Sequence, residues 1–172
     1  VLVSETVDKK ILDVVNTYAH FHGMKIGMIA EKDGVTDKAD YEQKMTQGGV
    51  AGVILQQPNY YGIVEDYTGF ADIAHANKAL MIMNSVAADL AVLKTPAEWG
   101  ADIAVGDGQS FGIPMQFGGP NVGYLCCKEK LIRKMPGRIV GMTKDSRGQR
   151  AFVLTLQARE QHIRRQKATS NI

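Results

Sequence analysis

Residues 50–58 read VAGVILQQP, and this stretch decides the fold. Its first six residues are apolar without polar alternation, a pattern typical of a strand buried on both faces of a parallel sheet. Pro58 closes the strand because proline has no backbone N–H to give to a neighbouring strand. We therefore expect a buried strand over residues 50–55.

Similar apolar runs lie on both sides of this strand in the sequence. They predict further strands at residues 1–4, 25–30, 80–83 and 101–105. Between them the spacing predicts a helix capped by Ser4 that ends near Gly23, and helices over residues 37–45, 66–78 and 87–93. Such alternation builds an α/β domain with a mostly parallel sheet and helices on both faces.

The pattern changes after Pro114. It predicts a strand at residues 122–127, a helical turn at 129–135, and a β-hairpin formed by 138–143 and 150–156. With 172 residues, of which 45% are hydrophobic and 22% charged, the chain has the composition of an ordinary globular domain. We expect one domain over residues 1–172, with the hairpin and a basic segment at 138–167.

Charge is divided unevenly along the chain. Residues 1–132 carry 10 Lys and Arg against 16 Asp and Glu, a net charge of −6, whereas residues 133–172 carry 10 against 2, a net charge of +8. The basic segment is consistent with a solvated face, with nucleic-acid binding, or with recognition of a carboxylate or phosphate by guanidinium groups. Because no aromatic residues are interleaved at its centre, 159–167, we expect no nucleic-acid partner.

Cysteine and histidine offer no metal-binding pattern. Cys126 and Cys127 are adjacent in an apolar run, so we expect two buried core thiols, and the four histidines lack metal-ligand spacing. The sequence also lacks the run of about 20 apolar residues that a membrane helix needs. We expect no membrane contact and a cytoplasmic location.

Ligands of open α/β sheets gather at the carboxyl ends of the strands. Three segments lie there and form the candidate site: residues 56–61, 84–89 and 107–111. The glycines at 106, 108 and 112 follow a strand, but their spacing is one residue too long for a dinucleotide loop. Pro114 also argues against the helix whose N-terminus would hold a pyrophosphate.

Four blocks of the sequence resemble, in the same order, the glycine decarboxylase (P-protein) family of the glycine cleavage system. They are residues 57–66, residues 111–114 with 118–120, residues 135–141, and residues 159–165 with 167–172. The form of the first block is similar to the alpha chain (subunit 1) of the two-subunit bacterial enzymes. The resemblance implies part of the large domain of a fold type I transferase that depends on pyridoxal phosphate (PLP). It also implies a fragment, since an upstream segment and a small carboxyl-terminal domain would be missing.

Two positions depart from the PLP-bearing half of that family. Where that half has its lysine this chain has Gln109, and where it has the aspartate that pairs with the pyridine nitrogen this chain has Asn84. A primary amide cannot form the covalent bond that a lysine amine forms with the cofactor aldehyde, and a neutral amide cannot supply the buried counter-charge. The resemblance therefore implies a subunit that is lysine-less in one sense, because it lacks the lysine that binds PLP. Such a subunit has no catalytic residue of its own.

The same resemblance implies which partners the chain meets. A beta chain (subunit 2) would carry PLP and decarboxylate glycine, and the lipoyl arm of H-protein would take the aminomethyl group. Residues 168–171 resemble a loop with which related enzymes contact the cofactor phosphate of a partner subunit. We expect Thr169 and Asn171 to make that contact, with Arg164, Arg165 and Lys167 as supporting positive charge.

Two other hypotheses stay open at this point. A self-sufficient PLP enzyme would use another lysine, such as Lys94 or Lys128, although both are predicted away from the strand ends. An unrelated α/β binding domain would use its basic carboxyl-terminal segment for an anionic partner.

Overall fold

The computed structural model describes residues 1–157 and 160–168. The chain divides into two compact units, Val1–Cys126 and Cys127–Ile172, and each is described by itself. A single domain over residues 1–172 remains a prediction.

The first unit is built on a six-stranded sheet with the strand order β2-β1-β5-β6-β7-β8. Its strands are β1 Leu2–Ser4, β2 Gly27–Ile29, β5 Gly52–Gln57, β6 Leu80–Val86, β7 Ile103–Asp107 and β8 Gly123–Cys127. All pairings from β2 across to β7 are parallel, which confirms the mostly parallel sheet. A separate antiparallel pair, β3 Glu31–Lys32 and β4 Val35–Thr36, was not predicted.

Three helices connect the strands: α1 Lys9–Phe21, α2 Lys38–Thr46 and α3 Phe70–Ala76. Short 3-10 turns follow two strands, at Ala87–Ala91 and Gln109–Phe111. The prediction that Ser4 caps α1 is wrong: the cap is Asp8, whose carboxylate accepts from the Lys10 N–H at 2.8 Å. The Ser4 hydroxyl is instead buried and hydrogen-bonded to Thr6 and Thr36.

The hydrophobic core lies on one face of the sheet, under α2 and α3. It combines residues from the strands, both helices and the segments beside them: Leu2, Ile29, Tyr41, Met45, Val53, Leu55, Tyr67, Phe70, Ala71, Ala74, Ala79, Met81, Met83 and Ala101. The ring of Phe70 stacks on Tyr41 at 4.9 Å and meets Tyr67 edge-on at 5.3 Å. Side chains alternate between faces along a strand, so Gln57 lies on the core face with Leu55, whereas Gln56 lies on the opposite face.

Helix α1 begins on that opposite face. The Asp8 N–H donates to Gln56 Oε1 at 3.0 Å, which ties the start of the helix to the carboxyl end of β5. The helix then runs back to the amino edge of the sheet, where the Gly27 N–H donates to the Val1 carbonyl as β2 begins. Its last residue, Phe21, is 82% exposed.

The second unit contains the predicted hairpin, which is confirmed. Strands β9 Ile139–Lys144 and β10 Arg150–Thr155 pair antiparallel, and Asp145 shapes the connection by accepting from the Arg147 and Gln149 N–H groups. A 3-10 turn at Glu129–Lys134 precedes the hairpin. One helical turn, α4 Gln161–Arg164, and a 3-10 turn at Arg165–Lys167 follow it.

The prediction of two buried core thiols is wrong. Cys126 is exposed and Cys127 is only partly buried. Both lie on β8, which is the outermost strand of the sheet formed by the described residues and has only β7 as a neighbour among them. Apolar composition alone could not distinguish such an edge strand from a central one.

Candidate functional site

The candidate site is the carboxyl edge of the sheet, where β5, β6 and β7 end side by side. The strand register places Gln56 beside Asn84, and Gln57 beside Ser85. Next to them, Asn84 pairs with Val105 and Ser85 with Gly106. Partners in a parallel register share a face, so Gln56 and Asn84 project from the same face of the sheet.

Gln56 and Asn84 form a pair of neutral amides. The Asn84 Nδ2 group donates to Gln56 Oε1 at 3.3 Å, and the same oxygen accepts from the Asp8 N–H. The Gln56 backbone carbonyl accepts from the Tyr67 hydroxyl at 2.8 Å. The pair can therefore donate and accept hydrogen bonds, but it carries no charge that could stabilise a cationic ring.

Gln109 lies in the 3-10 turn that follows β7. Its N–H donates to Asp107 Oδ1 at 2.9 Å, and its carbonyl accepts from the Ile113 N–H at 2.9 Å. The side chain is partly buried and ends in an amide. The structure thus places Asn84 in β6, two residues before the strand ends, and Gln109 just after the neighbouring strand β7.

The two alternative lysines are placed elsewhere. Lys94 holds its Nζ 3.7 Å from the centre of the Trp99 ring, in a cation–π contact. Lys128 belongs to the second unit, just after β8. Lys94 does not lie at the end of β5, β6 or β7, and along the chain Lys128 follows β8 instead of one of these strands, which argues against the self-sufficient enzyme.

Strands β6 and β7 approach each other closely at Gly106, three residues before Gln109 in the sequence. A Cβ atom added to Gly106 would lie 1.7 Å from the Ser85 carbonyl oxygen and 2.7 Å from Tyr124 Cε1. The Ser85 hydroxyl and the Tyr124 hydroxyl lie 2.7 Å apart, and Tyr124 also donates to the Ser85 carbonyl at 3.0 Å. Sequence reasoning missed Tyr124, because its partner lies 39 residues away.

A buried carboxylate supports the loop after β5. Glu65 is 5% exposed; its Oε1 accepts from Thr6 Oγ1 and Asn59 Nδ2, both at 2.8 Å, and its Oε2 accepts from the Thr36 N–H at 2.7 Å. Burial raises the pKa of the neighbouring Tyr67 phenol well above its usual range, and Glu65 raises it further. Tyr67 therefore remains a neutral hydrogen-bond donor to the Gln56 carbonyl.

The basic residues expected to contact an anion lie in the second unit. Arg164 ends α4, and Arg165 and Lys167 bound the following turn, all with exposed side chains. Thr169 and Asn171 lie outside the described residues. Within that unit, the buried Glu160 carboxylate faces Arg138 Nε at 4.0 Å.

The residues at the strand ends do not fit a covalently held PLP. That cofactor needs a lysine amine for its aldehyde and a carboxylate for its pyridine nitrogen. Gln109 and Asn84 offer amides at the ends of β7 and β6 instead. Within residues 1–157 and 160–168, no three His, Cys, Asp or Glu side chains gather as a metal site. Across the same residues, no helix combines the length and apolar character needed to cross a membrane.

Comparison with solved structures first defines the class of protein. Apo cysteine desulfurase from Thermococcus onnurineus NA1 superposes with a TM-score of 0.62 over 90% of this chain and 38% of its own, at 19% sequence identity. A glycine decarboxylase (P-protein) of the glycine cleavage system, solved with an inhibitor, superposes with a TM-score of 0.86 over 99% of this chain and 38% of its own, at 43% identity. The architecture is that of the PLP-dependent transferases of fold type I.

The family follows from sequence comparison. The model of the family "Glycine cleavage system P-protein" matches residues 1–172. The probable glycine dehydrogenase (decarboxylating) subunit 1 of Desulforamulus reducens is 51% identical over 172 residues, and that of Anoxybacillus flavithermus is 52% identical. The chain belongs to the P-protein family of the glycine cleavage system. Both relatives match the chain over its whole length, whereas the chain spans only 38% of the length of each relative.

Proposed function

We propose that this chain is part of the lysine-less subunit of a glycine decarboxylase, which acts together with a PLP-bearing beta chain in a cytoplasmic complex. The beta chain decarboxylates glycine, and lipoyl H-protein accepts the aminomethyl group. The observation that carries the proposal is the amide at Gln109, in the turn just after β7, the strand next to β6, which holds Asn84 two residues before its end. PLP, when bound by the partner, supplies the electron sink for the reaction.

The chemistry of the two amides supports a role in shaping the pocket. A side-chain amide nitrogen is not nucleophilic, because its lone pair is delocalised into the carbonyl, so Gln109 cannot attach an aldehyde. Asn84 is already oriented by its bond to Gln56, and it can give or accept a hydrogen bond without adding charge. The carboxyl edge of this chain can therefore line the pocket and orient groups within it. The covalent bond to PLP is formed by the partner.

We also propose that the basic carboxyl-terminal segment contacts the phosphate of the partner's cofactor. Thr169 and Asn171 would bind it directly, and Arg164, Arg165 and Lys167 would add positive charge. Guanidinium groups suit this role because they bind phosphate oxygens through two parallel N–H bonds. The net charge of +8 over residues 133–172 supports the choice of an anionic ligand.

Reduction with borohydride tests where the cofactor is attached. The full-length protein that contains this chain is mixed with PLP, with and without the beta chain, then reduced and mapped by mass spectrometry. We expect a pyridoxyl adduct only on the beta-chain lysine, and none after that lysine is replaced by alanine. A stoichiometric adduct on this chain, with or without the partner, would refute the proposal.

Replacing Thr169 by alanine tests the phosphate contact. We expect the assembled enzyme with Thr169→Ala to lose PLP about tenfold more readily, since one hydrogen bond to a charged group is worth about 1.5–3 kcal/mol. Cofactor retention is measured by dialysis and absorbance. Gln166→Ala, a neutral change nearby, serves as the control, and equal retention by both variants would remove Thr169 from the site.

A further inference from the structure

Two side-chain amides, Gln56 on β5 and Asn84 on β6, are joined to the residue that caps helix α1. Gln56 Oε1 accepts two hydrogen bonds, one from the Asp8 N–H at 3.0 Å and one from Asn84 Nδ2 at 3.3 Å. All three residues are partly buried, and all three belong to the first unit. The arrangement is therefore internal to that unit.

The Asp8 N–H decides which end of the Gln56 amide faces it. A backbone N–H can only donate, so the Gln56 atom beside it must be the carbonyl oxygen and not the NH2 group. If the Gln56 amide turned over, two donors would meet and the Asp8 N–H would lose its acceptor, which costs free energy at a partly buried site. Gln56 is therefore held in one orientation by a group that cannot change its own role.

The orientation of Gln56 sets the orientation of Asn84. The Asn84 atom that faces Gln56 Oε1 must be a donor, because two amide oxygens in hydrogen-bonding contact repel each other. The NH2 group of Asn84 therefore points toward Gln56, and its Oδ1 points away. Among the described residues, neither Asn84 Oδ1 nor Gln56 Nε2 forms a hydrogen bond, so no other described contact opposes this orientation.

The titratable groups on the neighbouring elements have other hydrogen-bond partners. The Asp8 carboxylate accepts from the Lys10 N–H at 2.8 Å, and the Asp107 carboxylate, at the end of β7, accepts from the Gln109 N–H at 2.9 Å. The Tyr67 phenol stays neutral, because burial raises its pKa well above its usual range. The amide pair is therefore held by neutral hydrogen bonds alone.

We infer that Gln56 is a positioning residue that keeps position 84 uncharged and turns Asn84 Oδ1 away from β5. A carboxylate at position 84 would place an oxygen against Gln56 Oε1, and Gln56 cannot turn over while the Asp8 N–H holds it. The missing counter-charge is thus a property of Gln56 as well as of Asn84. This inference deepens the proposed function and rests on it for one consequence: the charge that the pyridine nitrogen needs comes from the partner, and replacement of Asn84 alone does not restore it here.

Two substitutions that each exchange an NH2 group for an oxygen test the orientation, because their expected results differ. In Asn84→Asp the oxygen replaces the donor of the pair, so two acceptors meet and Gln56 is pushed off the Asp8 N–H. We expect the protection of the Asp8 amide against hydrogen exchange to fall about tenfold or more at about pH 7.

Gln56→Glu is the matched control, because it keeps both hydrogen bonds of the pair. A carboxylate at this position accepts from the Asp8 N–H and from Asn84 Nδ2 as the amide oxygen does. We expect the protection of the Asp8 amide to change by less than about threefold. The opposite orientation of the pair predicts the reverse order, with Gln56→Glu harmful and Asn84→Asp tolerated.

The effect of Asn84→Asp is expected to depend on pH. When the new carboxyl takes up a proton, it can donate to Gln56 Oε1 as the NH2 group does in the unaltered protein. We therefore expect most of the lost protection to return as the pH falls from about 7 to about 4.5. Asn84→Leu has no group to titrate, so its Asp8 amide should show the same protection at both pH values.

The measurement uses the full-length protein that contains this chain, without PLP and without the beta chain. Mass spectrometry with single-residue resolution gives exchange rates, which are divided by the intrinsic rate at each pH, and circular dichroism checks folding. Equal losses in Asn84→Asp and Gln56→Glu, or no recovery of Asn84→Asp on acidification, would overturn the inference. If Asn84→Asp does not fold, a tenfold loss in Gln56→Glu still overturns it, and retained protection supports it.

Failure of the inference is distinguishable from failure of the proposed function. The exchange of the Asp8 amide can contradict the role of Gln56 while the borohydride experiment still finds the cofactor on the beta chain alone. Conversely, a pyridoxyl adduct on this chain would refute the proposed function and leave the orientation of the amide pair as measured.

Discussion

Gly106→Ala is expected to destabilise the sheet by more than about 3 kcal/mol, because the new methyl group has no space. Its Cβ would lie 1.7 Å from the Ser85 carbonyl oxygen and 2.7 Å from Tyr124 Cε1. A flexible side chain could move away, but the oxygen belongs to the backbone of β6, which pairs with β7 at this residue. The two strands must separate, and Gln109 must shift with them. Thermal unfolding of the full-length protein and its soluble yield measure the effect.

Gly123→Ala is the matched control for this substitution. Gly123 begins β8, the strand beside β7, and a Cβ there would meet the Gly106 carbonyl oxygen at an ordinary 3.5 Å. We expect a change of less than about 1 kcal/mol, since that spacing is normal van der Waals contact. Equal melting temperatures for Gly106→Ala and Gly123→Ala would show that β6 and β7 do not approach as closely as the structure places them.

The parallel sheet could be predicted because each of its strands is marked by its own run of apolar residues. The apolar run at residues 50–55 became β5, Gly52–Gln57, and the run at 80–83 became β6, Leu80–Val86. A strand buried on both faces needs apolar residues at successive positions, so a short window of sequence is enough. The strands extend past their predicted ends because Gln57, Asn84 and Ser85 continue the pairing register although they are polar.

Features that depend on distant partners could not be predicted in this way. The helix expected over residues 66–78 is only Phe70–Ala76, because Asp66 accepts from the Thr68 N–H and hydroxyl and forms a turn instead. Ser4 follows the pattern of a helix cap, yet its hydroxyl partner Thr36 lies 32 residues away. Glu65 and Thr6 are 59 residues apart, so nothing in either local sequence indicates that they meet.

The candidate site, like the fold, could be predicted from the sequence only in part. Asn84 and Gln109 could be singled out because the resemblance to the P-protein family pointed to their positions. The structure places Asn84 near the end of β6 and Gln109 just after the neighbouring strand β7. The amide bond from Asn84 to Gln56, and the contact of Tyr124 with Ser85, become visible only when the strands are aligned. The roles of Asn84 and Gln109 in a shared pocket remain predictions, and the borohydride experiment addresses one part of them, that this chain does not hold the cofactor covalently.

Phe70→Ala is expected to cost about 3–5 kcal/mol of folding free energy, the usual effect of removing a buried phenylalanine. Phe70 is 2% exposed, and its ring contacts Tyr41 on one side and Tyr67 on the other. Because aromatic pairs add stabilisation beyond the area they bury, the loss should lie toward the upper end of that range. Urea unfolding of the full-length protein measures it, and Phe21→Ala, with an exposed ring, should change the free energy of unfolding by less than about 0.5 kcal/mol.

The consequence for the site follows from the position of Tyr67. Its ring packs against Phe70 and Trp99, and its hydroxyl donates to the Gln56 carbonyl. Loss of the Phe70 ring frees Tyr67 to tilt, and Gln56 then loses one of the three contacts described above, leaving the bonds from Asp8 and Asn84. We therefore expect Phe70→Ala to weaken assembly with the beta chain even at temperatures where the protein stays folded. Full assembly by a destabilised but folded Phe70→Ala variant would show that the carboxyl edge is held in place without the aromatic core.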